Sequence, residues 1–169
     1  MAYSSVIPWT SNALGWLTKL SGYTTWFPSE INLLVEGFSL VSVESALNSL
    51  NYKVQDRHDK KEAANFMSKI KVNIDSIDEL LFEKYPQDER VIRMNKRLKK
   101  TRLQETISKP DESSYTINKG QIMSFCLRHK NDKKKETDKF HRENVLIFVI
   151  IHELAHVMSI SEGHGKEFM

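Results

Sequence analysis

The sequence predicts an α+β fold, with several helices, a small antiparallel sheet and one central helix that carries the chemistry. Three observations predict it. Apolar residues recur every three or four positions across residues 60–85, the period of a helix with one buried face. Residues 114–127 are rich in β-formers around a turn signal. Residues 145–151 are apolar without a break and run directly into His152-Glu153-Leu154-Ala155-His156.

The chain of 169 residues is long enough to bury a core without disulfides. A composition of 40% hydrophobic and 28% charged residues excludes a wholly disordered chain. Cys126 is the one cysteine, which excludes an intramolecular disulfide framework and a cysteine-based zinc cluster. It also points to a reducing intracellular compartment. The net charge of +3 permits an acidic partner without requiring one.

From the N-terminus, residues 1–55 read as an aromatic-rich, charge-poor extension and residues 56–169 as the main domain. The first fifty residues carry Lys19, Glu30, Glu36 and Glu44 as their only charges, and hold Trp9, Trp16 and Trp26. No basic segment precedes the early apolar stretch and Pro8 interrupts it, so a secretory signal is not expected. Glu36, Gly37 and Glu44 argue against a spanning helix over residues 31–50. That stretch reads instead as short amphipathic helices, and residues 51–57 as a connection. Residues 1–50 read either as a tail or subdomain packed on the main body or, since clustered aromatics mark such sites, as a docking segment for a protein partner or a membrane surface.

The helix over residues 60–85 ends at Pro86, and residues 88–98 form a second, shorter helix. Residues 109–114 are a loop by composition. Asn118-Lys119-Gly120 then joins two strands of a β-hairpin, residues 114–117 and 121–127. Lysine-rich residues 128–139 read as an exposed loop, with Asp138 capping the next helix. This last helix, apolar on every side, belongs at the centre of the domain, continues through Ile160 and terminates at Gly163.

His152 and His156 lie four apart, one turn above the other on one helical face. Two imidazoles so placed bind one Zn²⁺ at about 2.0–2.1 Å each. Glu153 projects beside them, placed to take a proton from metal-bound water as the catalytic base. Zinc needs a third protein ligand, and His164 between Gly163 and Gly165 follows after enough chain to turn back to the metal. Two histidines placed directly after an apolar run carry a desolvation cost that a metal offsets.

These residues predict a zinc metalloendopeptidase. Gln121, Ile122, Met123 and Ser124 are candidate substrate-binding positions, an edge to which an extended polypeptide substrate adds by main-chain pairing. Cys126 in that strand reads as a small buried hydrophobe. Two basic stretches, residues 90–102 and 128–139, are weaker candidates for phosphate contacts with nucleic acid.

His152-Glu153-Leu154-Ala155-His156 followed by Gly163-His164-Gly165-Lys166-Glu167-Phe168 resembles the WLM and SprT-like metallopeptidases. Tyr115-Thr116-Ile117-Asn118-Lys119-Gly120 and residues 122–128 are similar to WLM-type proteins of large DNA viruses. The resemblance covers roughly residues 60–168 and implies a compact zincin, with the motif helix beneath an edge strand. It implies His152, His156 and His164 as ligands of Zn²⁺ and Glu153 as general base. For cellular relatives it implies cleavage of proteins crosslinked to DNA. Relatives continue for a further helix after the position of Phe168, which leaves a C-terminal truncation open, and residues 1–50 have no counterpart. The viral resemblance also sustains a second expectation, a structural or minor capsid component of a virus particle built on this fold.

Overall fold

The computed structural model describes residues 39–107, 113–131, 133, 136–161 and 163–164. Ten elements follow in order: β1 Leu40–Glu44, β2 Asn51–Gln55, α1 Lys60–Lys84, α2 Glu89–Leu98, β3 Arg102–Glu105, β4 Tyr115–Ile117, β5 Ile122–Phe125, β6 Arg128–Lys130, β7 Glu136–Phe140 and α3 Glu143–Met158. This is the expected α+β class. The main sheet has the order β1-β2-β3-β5-β4 and is mixed rather than antiparallel. β2 and β5 each run parallel to β3, while β1 and β4 pair antiparallel at the two edges.

α1 buries Ala63, Met67, Ile70 and Ile74, the stripe expected from the sequence period, and stops before Pro86. In α2, Asp88 caps the first turn by accepting the Arg90 N–H at 2.9 Å. β5 is buried along Met123, Ser124 and Phe125 because it has a strand on each side. Met123 and Phe125 join Val54, Met94, Ile150, Leu154 and Val157 in one core. Each such apolar side chain contributes about 1.5–3 kcal/mol through burial.

Several expectations change. Within residues 40–55 there is a strand pair instead of helices and a connection. Tyr52 and Val54 enter the core, so the sheet begins well before the boundary placed at residue 55. The alternation of Tyr52 and Val54 with exposed Asn51 and Lys53 is a period-two signal only five residues long. Residues 1–38, including the three tryptophans and their docking role, lie outside the described residues.

The lysine-rich segment is a second, two-stranded sheet of β6 and β7, not an exposed loop. Asp138 lies inside β7, and Arg142 occupies the start of α3 without a side-chain cap. α3 is also not enclosed on every side. Leu146, Ile150, Leu154 and Val157 face the core, but Phe148 is 77% exposed and Ile151 52% exposed. The helix ends at Met158 with Ser159 as its cap residue, before Ile160 and Gly163.

Candidate metal centre

His152 and His156 stand one turn apart on α3, with ring centroids 5.0 Å apart. Gly163 adopts φ +66, a backbone conformation that disfavours any side chain. Beyond it His164 returns to the helix, its ring centroid 5.1 Å from His152 and 4.9 Å from His156. The Nε2 atoms of His164 and His152 are 3.2 Å apart, and one nitrogen from each of the three rings lies within 4.8 Å of the others. A tetrahedral zinc with bonds of about 2.0–2.1 Å separates its ligand nitrogens by roughly 3.3 Å. Three imidazoles converging at this spacing fit that ion.

Burial pushes the His156 imidazole below its ordinary value, and the neighbouring His152 and His164 add to this against the opposing charge of Glu153. The neutral ring is the form that ligates metal.

Glu153 is 3% exposed, between α3 and β4. Its Oε2 accepts the hydroxyl of Thr116 at 2.6 Å. The carboxylate is thereby held at Oε2. The role of Thr116 escaped the sequence reading, because its only signal was membership of a β-forming run.

The end of α3 is fastened from two directions. Arg93 and Arg97 of α2 donate to the carbonyls of Met158 and Val157, and Arg97 also reaches Ser159 at 2.9 Å. Cations at a helix C-terminus satisfy carbonyls that have no partner within the helix. Two members of the first basic stretch are therefore engaged in the fold. From the hairpin turn, Lys119 donates to the carbonyl of Ser161. Gly120, at φ +99, sits so close to Val157 that an added Cβ would lie 3.0 Å from its methyl groups. The turn foreseen at Asn118-Lys119-Gly120 thus abuts the segment that presents His164.

The candidate substrate strand needs correction. Gln121 lies in the turn, and Ile122, Met123 and Ser124 belong to β5, whose two sides are occupied by β3 and β4. The edge strand beside Glu153 is β4, which among the described residues pairs on one side only, with β5. Arg128, counted among the basic residues able to touch phosphate, is fully buried. It donates to Asp59 at 2.5 and 2.8 Å and to Glu105 at 2.8 Å. Cys126 is partly buried; desolvation, reinforced by the charge of Glu136, pushes its thiol up, in keeping with a packing role.

Two adjoining cavities share Ser113, Ser114, His152 and Glu153. One, of about 410 Å³, contains the three histidines. The other, of about 570 Å³, extends along the N-terminal half of α3.

Fold and site together define an α+β protein with a three-histidine centre beside a buried, hydrogen-bonded glutamate. The chain is similar to an uncharacterized protein of Acanthamoeba polyphaga mimivirus, 32% identical over 130 residues, which span 75% of this chain and 64% of that one. It is also similar to uncharacterized proteins of Invertebrate iridescent virus 3, 40% identical over 58 residues, and Invertebrate iridescent virus 6, 44% identical over 55 residues. Those matches cover 34% and 32% of this chain, and 33% and 29% of the relatives. The chain matches less than two thirds of the length of each of these relatives. No family model and no solved structure matches it. Its relatives are therefore proteins of large DNA viruses. Among the described residues, no helix is long and apolar enough to cross a membrane.

Proposed function

We propose that the protein is a zinc-dependent endopeptidase of the WLM or SprT-like type, encoded by a large DNA virus and working in the infected cell or the virion. The observation that carries this reading is the convergence of His152, His156 and His164 next to the buried carboxylate of Glu153. A structural metal site has no need of a proton acceptor at that position.

His152, His156 and His164 would hold the ion. When bound, Zn²⁺ supplies Lewis acidity, polarising the scissile carbonyl and lowering the pKa of water. The chain supplies the rest. Glu153, held by Thr116, takes a proton from the attacking water as the new C–O bond forms. It returns that proton to the amine as the C–N bond breaks. The open edge of β4 offers main-chain groups that align an extended polypeptide over the site.

The test is metal content together with cleavage of an unfolded protein. Purified chain supplied with zinc should hold about one ion per molecule and cut the substrate. Glu153→Gln should keep the zinc and lose cleavage by at least about 100-fold. A zinc-loaded wild type that never cuts would instead favour a structural component of the virus particle.

A further inference from the structure

The cavity of about 570 Å³ lies within the ordinary range of ligand pockets, about 300–1,000 Å³. Its wall on α3 is formed by Val145, Leu146, Phe148 and Val149, followed by His152 and Glu153. The spacing i, i+4, i+7 and i+8 from Val145 is one continuous helix face. The apolar wall and the metal centre are thus successive turns of the same stripe.

Leu146 is anchored in the core, but Val145 is 47% exposed and Phe148 77% exposed. An apolar wall left open in this way, at the mouth of a polar centre, is placed to take up apolar surface from a ligand.

We infer that this cavity selects the polypeptide substrate, by receiving a large apolar side chain close to the scissile bond. The inference rests on the endopeptidase reading and names its substrate class: unfolded segments carrying leucine, isoleucine, methionine or phenylalanine. For a peptide lying alongside α3, the distance along the helix sets the position. Val149 lies about 4.5 Å of helical rise before His152, and Val145 about 10.5 Å. An extended peptide advances about 3.3 Å per residue. The selected side chain therefore lies one to three residues from the bond that is cut. Selection at such a pocket is worth about tenfold or more for each missing apolar group.

The experiment has two arms, both on the full chain. In the first, the zinc-loaded protein digests a library of unfolded peptides and the cuts are mapped by mass spectrometry. Large apolar residues should be enriched about tenfold at one fixed position within three residues of the cuts. Val145→Trp, at a half-exposed site, narrows the cavity and should move the preference to alanine and serine.

The second arm reads binding without cleavage. Glu153→Gln protein is titrated with capped Gly-Ser hexapeptides carrying either one leucine or none. The leucine peptides should bind about tenfold tighter, and Val145→Trp in the Glu153→Gln background should remove the difference. If nothing is cut but this discrimination holds, the cavity assignment stands and the endopeptidase reading falls. Cuts indifferent to side-chain type, binding indifferent to leucine, or a preference untouched by Val145→Trp would each overturn the cavity assignment.

Discussion

Arg128 and His152 line the same cavity, and the polar clusters they belong to are built on opposite principles. Around Arg128 everything is closed. The guanidinium donates to Asp59 and Glu105, and Glu105 also accepts the Gln55 N–H at 2.8 Å. Gln55 in turn donates to Glu136 at 2.8 Å, and Arg57 pairs with Glu136 at 3.2 Å. Each carboxylate there has a guanidinium partner inside the chain. Around His152 the arrangement is open. His152 and His164 are exposed, and their Nε2 atoms lie 3.2 Å apart. A cluster whose charges are matched internally holds a fold together. The proposed Zn²⁺ would complete the open cluster from outside.

The largest effect should come from opening the closed cluster. Arg128→Met strands Asp59 and Glu105 in the interior and should cost about 3–5 kcal/mol, read as a fall in the urea midpoint. His152→Ala in metal-free protein should cost no more than about 0.5 kcal/mol, since the residue is exposed. Equal costs for the two variants would erase the distinction.

Next comes the response to metal. At a hundredfold excess over its dissociation constant, Zn²⁺ should stabilise the wild type by about 2.7 kcal/mol. That amounts to roughly 5–10 °C in Tm. His152→Ala and His156→Ala should abolish this shift and His164→Ala should greatly reduce it, while Arg128→Met should shift normally wherever it still folds. A zinc response that survives His156→Ala would remove the open cluster as its source.

A smaller effect belongs to Thr116. Thr116→Val removes the hydroxyl that holds Glu153 and should lower kcat by about tenfold with zinc content unchanged. Thr116→Ser should restore it. A loss of zinc in Thr116→Val would mean that the residue supports the helix, not the carboxylate.

The smallest effect is one of pH, because two carboxylates on one guanidinium oppose each other. Burial works against ionised Asp59, but its two bonds to Arg128 outweigh this and hold its pKa below the usual range. Its contribution is present above the unfolded value and is lost as pH falls through the folded one. Burial pushes Glu105 up in spite of the Gln55 N–H and Arg128. Ionised Glu105 therefore costs stability, and that cost disappears as pH falls through its raised pKa. Over the acid range the two should partly cancel. Urea midpoints followed from pH 7 downwards should fall more steeply in Glu105→Gln than in wild type; parallel profiles would contradict the opposing signs.

What was legible in the sequence was local. The α1 period, the Asn118-Lys119-Gly120 turn and the histidine spacing are all set by residues within a few positions of each other. What was hidden depends on contacts across the fold. Arg128 looked like one more surface cation because its partners stand 69 and 23 residues away. Thr116 meets Glu153 across 37 residues. β1 and β2 escaped because the alternation in β2 lasts only a few residues and ends at Gln55, which is polar yet buried. The edge was misplaced for a related reason: which strand lies outermost is a property of sheet order, and β3, which covers β5, precedes it by some twenty residues.

The hairpin turn, finally, ties together two things that could have been independent. β4 is an edge strand of the main sheet, and the turn that ends it holds Ser161 through Lys119 and approaches Val157 closely at Gly120. The segment on the far side of that contact carries His164. On the proposed function, a peptide bound along β4 would also steady His164, and a metal that draws in His164 would steady β4. Thermodynamic linkage makes the exchange symmetric: whatever factor the metal adds to peptide affinity, the peptide adds to metal affinity. In a cell where free zinc is scarce, such a protein would hold its ion most firmly while a chain lies across it.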